Sequence, residues 1–243
     1  MRRFAFGTLA VVLATALCAV AAPARAAVEV PAGTIWTMAG TPDGSRIFAG
    51  ALERGLLAVD AGGTVTRVEG LGRVVGIRMG ADGRTLWVGL PNDQQIAAVD
   101  AVTLTVRARY DVGVGVCPGD VAETGRFVTF GFSCFIYSDL SLPTTATGLG
   151  VLDTATGAVR TTETGVGYQP IVATSPGLPN RVFVTDYWVV DVWLEAFDVS
   201  TGTPERVAGR RLGPTNVYDL AVAPDGSEVA VSAGDVRTFT TPI

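Results

Sequence analysis

Leu220 to Val231 reads Leu-Ala-Val-Ala-Pro-Asp-Gly-Ser-Glu-Val-Ala-Val: an apolar run, a Pro-Asp-Gly turn, then a second run in which apolar and polar residues alternate. Proline presets φ, aspartate bonds its own backbone and glycine accepts φ > 0, so the turn reads as the tip of a β-hairpin. The phrase recurs upstream, from Trp36 to Phe48 as Trp-Thr-Met-Ala-Gly-Thr-Pro-Asp-Gly-Ser-Arg-Ile-Phe and from Ile77 to Val88 as Ile-Arg-Met-Gly-Ala-Asp-Gly-Arg-Thr-Leu-Trp-Val. A chain that repeats one hairpin is committed to a repeat architecture, in which each unit buries its faces against its neighbours.

The turn residue serves as a ruler. It falls at Gly44, Gly83, Gly125 and Gly226, with Asn180 taking the glycine place in the fourth unit. A second ruler runs in phase with it: Asp60, Asp100, Asp153 and Asp198 each end an apolar run and open a turn, where an aspartate closes an Asx-turn. Two phased markers at roughly 40 to 45 residues predict the four-stranded blades of a β-propeller. Four strands are expected in each of the spans 35–68, 74–111, 116–162 and 169–211, and three in 217–240. The fold class is therefore all-β, a propeller of about five four-stranded antiparallel blades. Residues 27–30 are expected to supply the strand that completes the last blade and closes the ring, hiding an open sheet edge. A partial ring of a larger, seven-bladed propeller is the competing reading.

The alternation of Thr/Ala-Pro-Asp-Gly hairpins with Val-x-Asp-x-x-Thr-Gly turns resembles the YVTN-type β-propeller repeat proteins, relatives of the WD40-like propellers. The resemblance spans 27–243 and is best in units one, two and five; unit three has Glu123-Thr-Gly at its tip and unit four Leu-Pro-Asn. It implies the fold, and an extracellular or cell-surface binding role such as secreted bacterial modules of this kind have.

Met1-Arg2-Arg3, an apolar stretch from Phe4 to Ala22 and the small-x-small site Ala24-Arg25-Ala26 predict a signal peptide over 1–26, leaving a propeller domain over 27–243 and a secreted, extracellular protein. A retained membrane anchor is the alternative, against which Pro23 and the cleavage site argue. Leu17 before Cys18 departs from the small residue that a lipoprotein site carries. No later stretch is apolar and long enough to span a membrane. Two cysteines follow the leader, Cys117 and Cys134, and in an exported chain an even pair reads as a disulfide, with two separate buried thiols as the alternative.

Composition narrows the chemistry. The 23 acidic residues outnumber the 18 basic ones, which disfavours nucleic acid as a partner. All the basic residues are arginine; without histidine or lysine the chain can build no Ser-His-Asp triad, imidazole base, Schiff-base lysine or P-loop lysine. An enzyme of this sequence would work with carboxylates, tyrosine, arginine or a bound metal.

In a propeller the D–A and B–C loops share one face, and a site is expected there or at the channel mouth. The B–C loops carry Glu53, Asp93, Asp139, Asp186 with Asp191, and Asp235, a ring of acids that would attract a cation such as Ca²⁺ or a cationic ligand. Ordinary surface solubility explains the same acids. Tyr137 lies in the long insertion 133–147, and Asp186-Tyr187-Trp188 opens the second, ending at Asp191. Aromatics in such loops suit recognition, though packing on a neighbouring blade explains them equally. Trp36, Tyr168 and Tyr218 fall near the starts of inner strands, and Trp87 reads as core. The leading reading is a binding or scaffold module, monomeric, offering this face to an extracellular protein, glycan or small molecule. A propeller enzyme of lyase or hydrolase type and a structural part of an envelope assembly are the alternatives.

Overall fold

A computed structural model describes residues 33–137, 146–164, 168–233 and 236–241. They form five antiparallel sheets, four of four strands and one of three. Blade one holds β1 (Ile35–Gly40), β2 (Arg46–Ala51), β3 (Gly55–Asp60) and β4 (Val65–Val68). Blade two holds β5 (Gly76–Met79), β6 (Thr85–Leu90), β7 (Gln95–Asp100) and β8 (Val106–Asp111). Blade three holds β9 (Pro118–Thr124), β10 (Phe127–Ser133), the helical turn α1 (Cys134–Tyr137), β11 (Thr147–Asp153) and β12 (Val159–Glu163). Blade four holds β13 (Pro170–Thr174), β14 (Arg181–Asp186), β15 (Trp188–Asp198) and β16 (Glu205–Asn216). Blade five holds β17 (Asp219–Val222), β18 (Glu228–Ser232) and β19 (Val236–Thr240). Strands follow chain order in every sheet, and the fold is a β-propeller. The strand expected at 27–30 lies outside the described residues.

Both rulers are real turns. Gly44, Gly83, Gly125 and Gly226 hold φ of +68°, +62°, +59° and +77°. Asn180 does not stand in for the fourth glycine, since it is not in the left-handed region. That tip is longer, with Leu178 N–H donating to Ser175 O (3.1 Å) and Arg181 N–H to Leu178 O (3.0 Å). Two successive turns spread the reversal and remove the need for a positive φ. The aspartates close their Asx-turns. Asp60 accepts N–H bonds from Gly62 and Thr64 (2.9 and 2.8 Å), Asp100 from Val102 and Thr103 (2.8 and 2.9 Å), Asp153 from Ala155 (3.0 Å) and Asp198 from Ser200 (2.9 Å). Bonds from Thr64, Thr103 and Ser200, respectively, are the largest causes holding Asp60, Asp100 and Asp198 below the usual carboxylate range.

Gly226→Val is expected to cost about 2 kcal/mol or more, because a β-branched side chain is forced into the left-handed region. Its Cβ would also meet Leu178 Cγ at 2.4 Å. A melting temperature roughly 5 °C lower in a thermal melt is the expected reading; an unchanged melt would contradict the hairpin placement.

The core is a series of layers between blades. Phe48, Leu56 and Ala58 of blade one meet Ile77, Leu86 and Val88 of blade two. Trp87, Ile96 and Ala98 meet Val121, Phe130 and Leu152 of blade three. Phe127, Leu149 and Val151 meet Val172, Val184 and Phe197 of blade four. Phe183 and Leu194 meet Leu220, Val229 and Val231 of blade five. Inner blades are thus buried on both faces, which is why their strands read as nearly unbroken apolar runs.

Blade one breaks this pattern on its outward side. Ile47 stands at the same place in the repeated phrase as Leu86, Val128 and Val229, all three fully buried, yet is 52% exposed. Met38 matches Ile77 and Leu220 and is 67% exposed. Inner strands β1, β5, β9, β13 and β17 pack in succession, and no comparable contact joins β17 back to β1 among the described residues. The described blades therefore form an open arc.

Two local features depart from expectation. The insertion after β10 begins as α1 rather than as loop. The expected 186–191 loop is also shortened, because β15 starts at Trp188 and pairs with β16 as far as Asn216. Val192 is β-branched and favours continued pairing, with a register shift just before it taking up the irregularity.

Candidate functional site

At the end of the arc where the inner strands begin lies a cavity of about 610 Å³. Its wall includes Trp36 and Thr37 of β1, Arg78 of β5, Asp120 of β9, Gln169 just before β13, and Tyr218 with Asp219 at the start of β17. Tyr137 from α1 and Tyr187 from the β14–β15 junction complete it. Each inner strand, or the residue leading into it, thus contributes to one wall.

Arg78 and Asp120 sit equally far before their turn glycines, Gly83 and Gly125, so adjacent blades place them at one level. They lie 4.0 Å apart as an ion pair, and Arg78 Nε also approaches Val121 O at 3.4 Å. Burial raises Asp120 above the usual carboxylate range. The Arg78 charge and the N–H bond from Val172 (3.0 Å) oppose that rise, whereas Asp219 adds to it.

Tyr137 is buried, and its hydroxyl donates to Pro170 O at 2.9 Å. Its ring rests against Gly119, where a Cβ would stand 2.1 Å from Tyr137 Cε2. Burial lifts its phenol well above the usual range, and the charges of Asp120 and Asp186 lift it further. The Cys117–Cys134 disulfide, with a Cα separation of 4.8 Å, ties the start of α1 to the entrance of β9 and so fixes where Tyr137 goes. Tyr187 and Tyr218 meet edge-on, with ring centroids 5.7 Å apart, and link the walls of blades four and five. Phe135 meets Tyr168 in the same manner at 5.9 Å.

The expected site residues separate into two groups. Tyr137 and Tyr187 face the cavity, and so do Trp36 and Tyr218. Asp186 is buried beside it and accepts N–H bonds from Tyr168 and Gln169, both at 3.1 Å, which sets the entry into β13. Asp93 pairs instead with Arg109 at 3.7 Å and Asp191 with Arg211 at 2.6 Å, both away from the cavity. Glu53 accepts the Thr34 N–H at 3.1 Å. Asp139 and Asp235 lie outside the described residues, as does the side chain of Trp188. Among the described residues no three acidic or cysteine side chains gather closely enough to hold a metal ion. Sequence reasoning missed Arg78, Asp120, Gln169 and Asp219. Their signal was a charged or amide residue within or just before a short inner strand, among apolar and small neighbours.

No family model and no curated protein matches the chain. Solved structures do. Hydrazine synthase of Kuenenia stuttgartiensis superposes with a TM-score of 0.67 at 20% identity, over 86% of this chain and 58% of the other. The Dos1 propeller superposes with a TM-score of 0.62 at 12% identity, over 86% of this chain and 56% of the other. The likeness is one of fold. The chain spans little more than half the length of either structure, and at these identities it takes no activity from them.

Proposed function

We propose that the chain is a secreted binding module of the YVTN-like propeller type, which takes a ligand at the mouth formed by its inner strands. The observation carrying this reading is the convergence of polar and aromatic side chains from all five blades on one cavity. Rigid sheets hold the wall, so binding incurs little ordering cost. Trp36 and Tyr218 are exposed aromatics at its edge, the kind of side chain that supplies contact area with few rotamers to freeze. The leader over 1–26 and the disulfide fit an exported protein.

Thermal-shift measurements with neutral saccharides, amino acids and organic cations test it. A ligand at about a hundred times its Kd adds about 2.7 kcal/mol of stability, a rise of roughly 5 to 10 °C. The rise is expected in the wild type and lost in Trp36→Ala/Tyr218→Ala, whose own melt falls by only a few degrees with loss of the Tyr187 ring contact. Stabilisation that survives this double change would place binding elsewhere. N-terminal sequencing of the exported chain is expected to begin at Ala27; an intact leader would contradict secretion by cleavage.

A further inference from the structure

We propose that the mouth cavity takes a small organic cation, an alkylammonium or quaternary ammonium compound, with Asp219 and Asp120 supplying charge and Trp36, Tyr187 and Tyr218 supplying ring surface. This rests on the reading of the mouth as the binding site.

Charge is the first support. Asp219 is exposed at the cavity wall, and its carboxylate accepts the N–H of its own neighbour Leu220 at 2.8 Å. Among the described residues no arginine pairs with it. Arg78, the cation of the wall, already faces Asp120. The wall thus carries two carboxylates, Asp120 and Asp219, against one guanidinium. Same-sign charge over low-dielectric walls concentrates counter-charge. An anionic ligand would meet repulsion from Asp219 and find the guanidinium of Arg78 already facing Asp120.

Ring chemistry is the second. A cation near the face of tryptophan or tyrosine is attracted by the ring quadrupole, and aromatic walls with an adjacent carboxylate suit ammonium groups. Trp36, Tyr187 and Tyr218 line one cavity from three blades, and its volume exceeds that of an ammonium head by enough to hold the rest of a small molecule.

A cavity-lining amide is the third and is independent of charge. Gln169 is 6% exposed and lines the cavity. Its backbone N–H goes to Asp186, which leaves the carboxamide to face the cavity. An amide offers both a donor and an acceptor, so an occupant carrying a hydroxyl or carbonyl is matched to it. A hydroxylated or carbonyl-bearing ammonium compound provides both features.

The test compares choline with 3,3-dimethyl-1-butanol, which has the same shape without the charge, by isothermal titration of the full chain, with cellobiose as a neutral saccharide. Choline is expected to bind one to one and the uncharged analogue about tenfold or more weakly. Asp219→Asn should weaken choline about tenfold with the melting temperature unchanged, because the side chain is exposed, and Trp36→Leu should act in the same direction. Equal binding of choline and its analogue, or no effect of Asp219→Asn, would overturn the proposal. Cellobiose bound at the mouth with choline excluded would overturn the cation and keep the binding site; no mouth-dependent binding of any probe would count against both.

Discussion

Gly76→Val is expected to lower the melting temperature by roughly 10 °C or more, the cost of overpacking a close backbone approach by about 3 kcal/mol or beyond. A Cβ at Gly76 would stand 2.0 Å from Gly119 O, and one at Gly89 would stand 2.3 Å from the same oxygen. Blade two therefore lays two backbone positions directly onto the inner strand of blade three, whose own Gly119 makes room for Tyr137. The obstacle is a carbonyl in a paired strand, so neither a rotamer change nor a small side-chain shift relieves it. Gly44→Ala is the matched control. Nothing lies within 4 Å of its Cβ, and only its φ of +68° resists, so its loss should be a fraction of that at Gly76. Equal melts for the two variants would mean that blades two and three are not in this contact. A loss confined to Gly76→Val would locate the tightest inter-blade joint beside the cavity.

What could be read from the chain beforehand follows from the range of each interaction. Turn tips and Asx-turns are local, so Gly44, Gly83, Gly125, Gly226 and the four strand-ending aspartates marked the blades correctly. Asn180 failed because an asparagine at a tip fits more than one turn, and the longer 175–181 segment chose one without a positive φ. Glu53 and Asp93 lie in the expected loops, whereas Asp186 ends β14 and Asp191 lies within β15, and partners are set by neighbouring strands. Nothing local in Asp93 or Asp191 announces Arg109 or Arg211 across the sheet. The cavity polar groups were hardest to foresee, since Arg78, Asp120 and Asp219 meet only when three blades are arranged about one axis. Two strands of evidence bore on ring closure. The chain count alone allowed a closed ring, whereas the exposure of Met38 and Ile47 at positions buried in other blades identifies a free blade flank among the described residues.

Removing the disulfide, by Cys117→Ser/Cys134→Ser or by reductant, is expected to cost about 3 kcal/mol, the chain-entropy value for a loop of this order, and to lower the melting temperature by roughly 6 to 12 °C. The two cysteines are separated by 17 positions in sequence, and the bridge joins the entrance of β9 to the first residue of α1. Its second effect is on the mouth. Tyr137 reaches Gly119 and Pro170 O only because α1 is anchored there, and the ring fills the space between blades three and four. An untied α1 should let that ring withdraw, enlarging the cavity and weakening a bound ligand at temperatures far below the melt. Tyr137→Phe separates the two effects. It keeps the ring and deletes one buried hydroxyl bond, for a loss of about 1 kcal/mol, and should leave affinity near that of the parent. If the reduced protein binds as tightly as the oxidised one while melting lower, the bridge serves stability alone. If affinity falls with reduction but not with Tyr137→Phe, the bridge positions the wall of the site, and ligand binding by this chain becomes sensitive to the redox state of its surroundings.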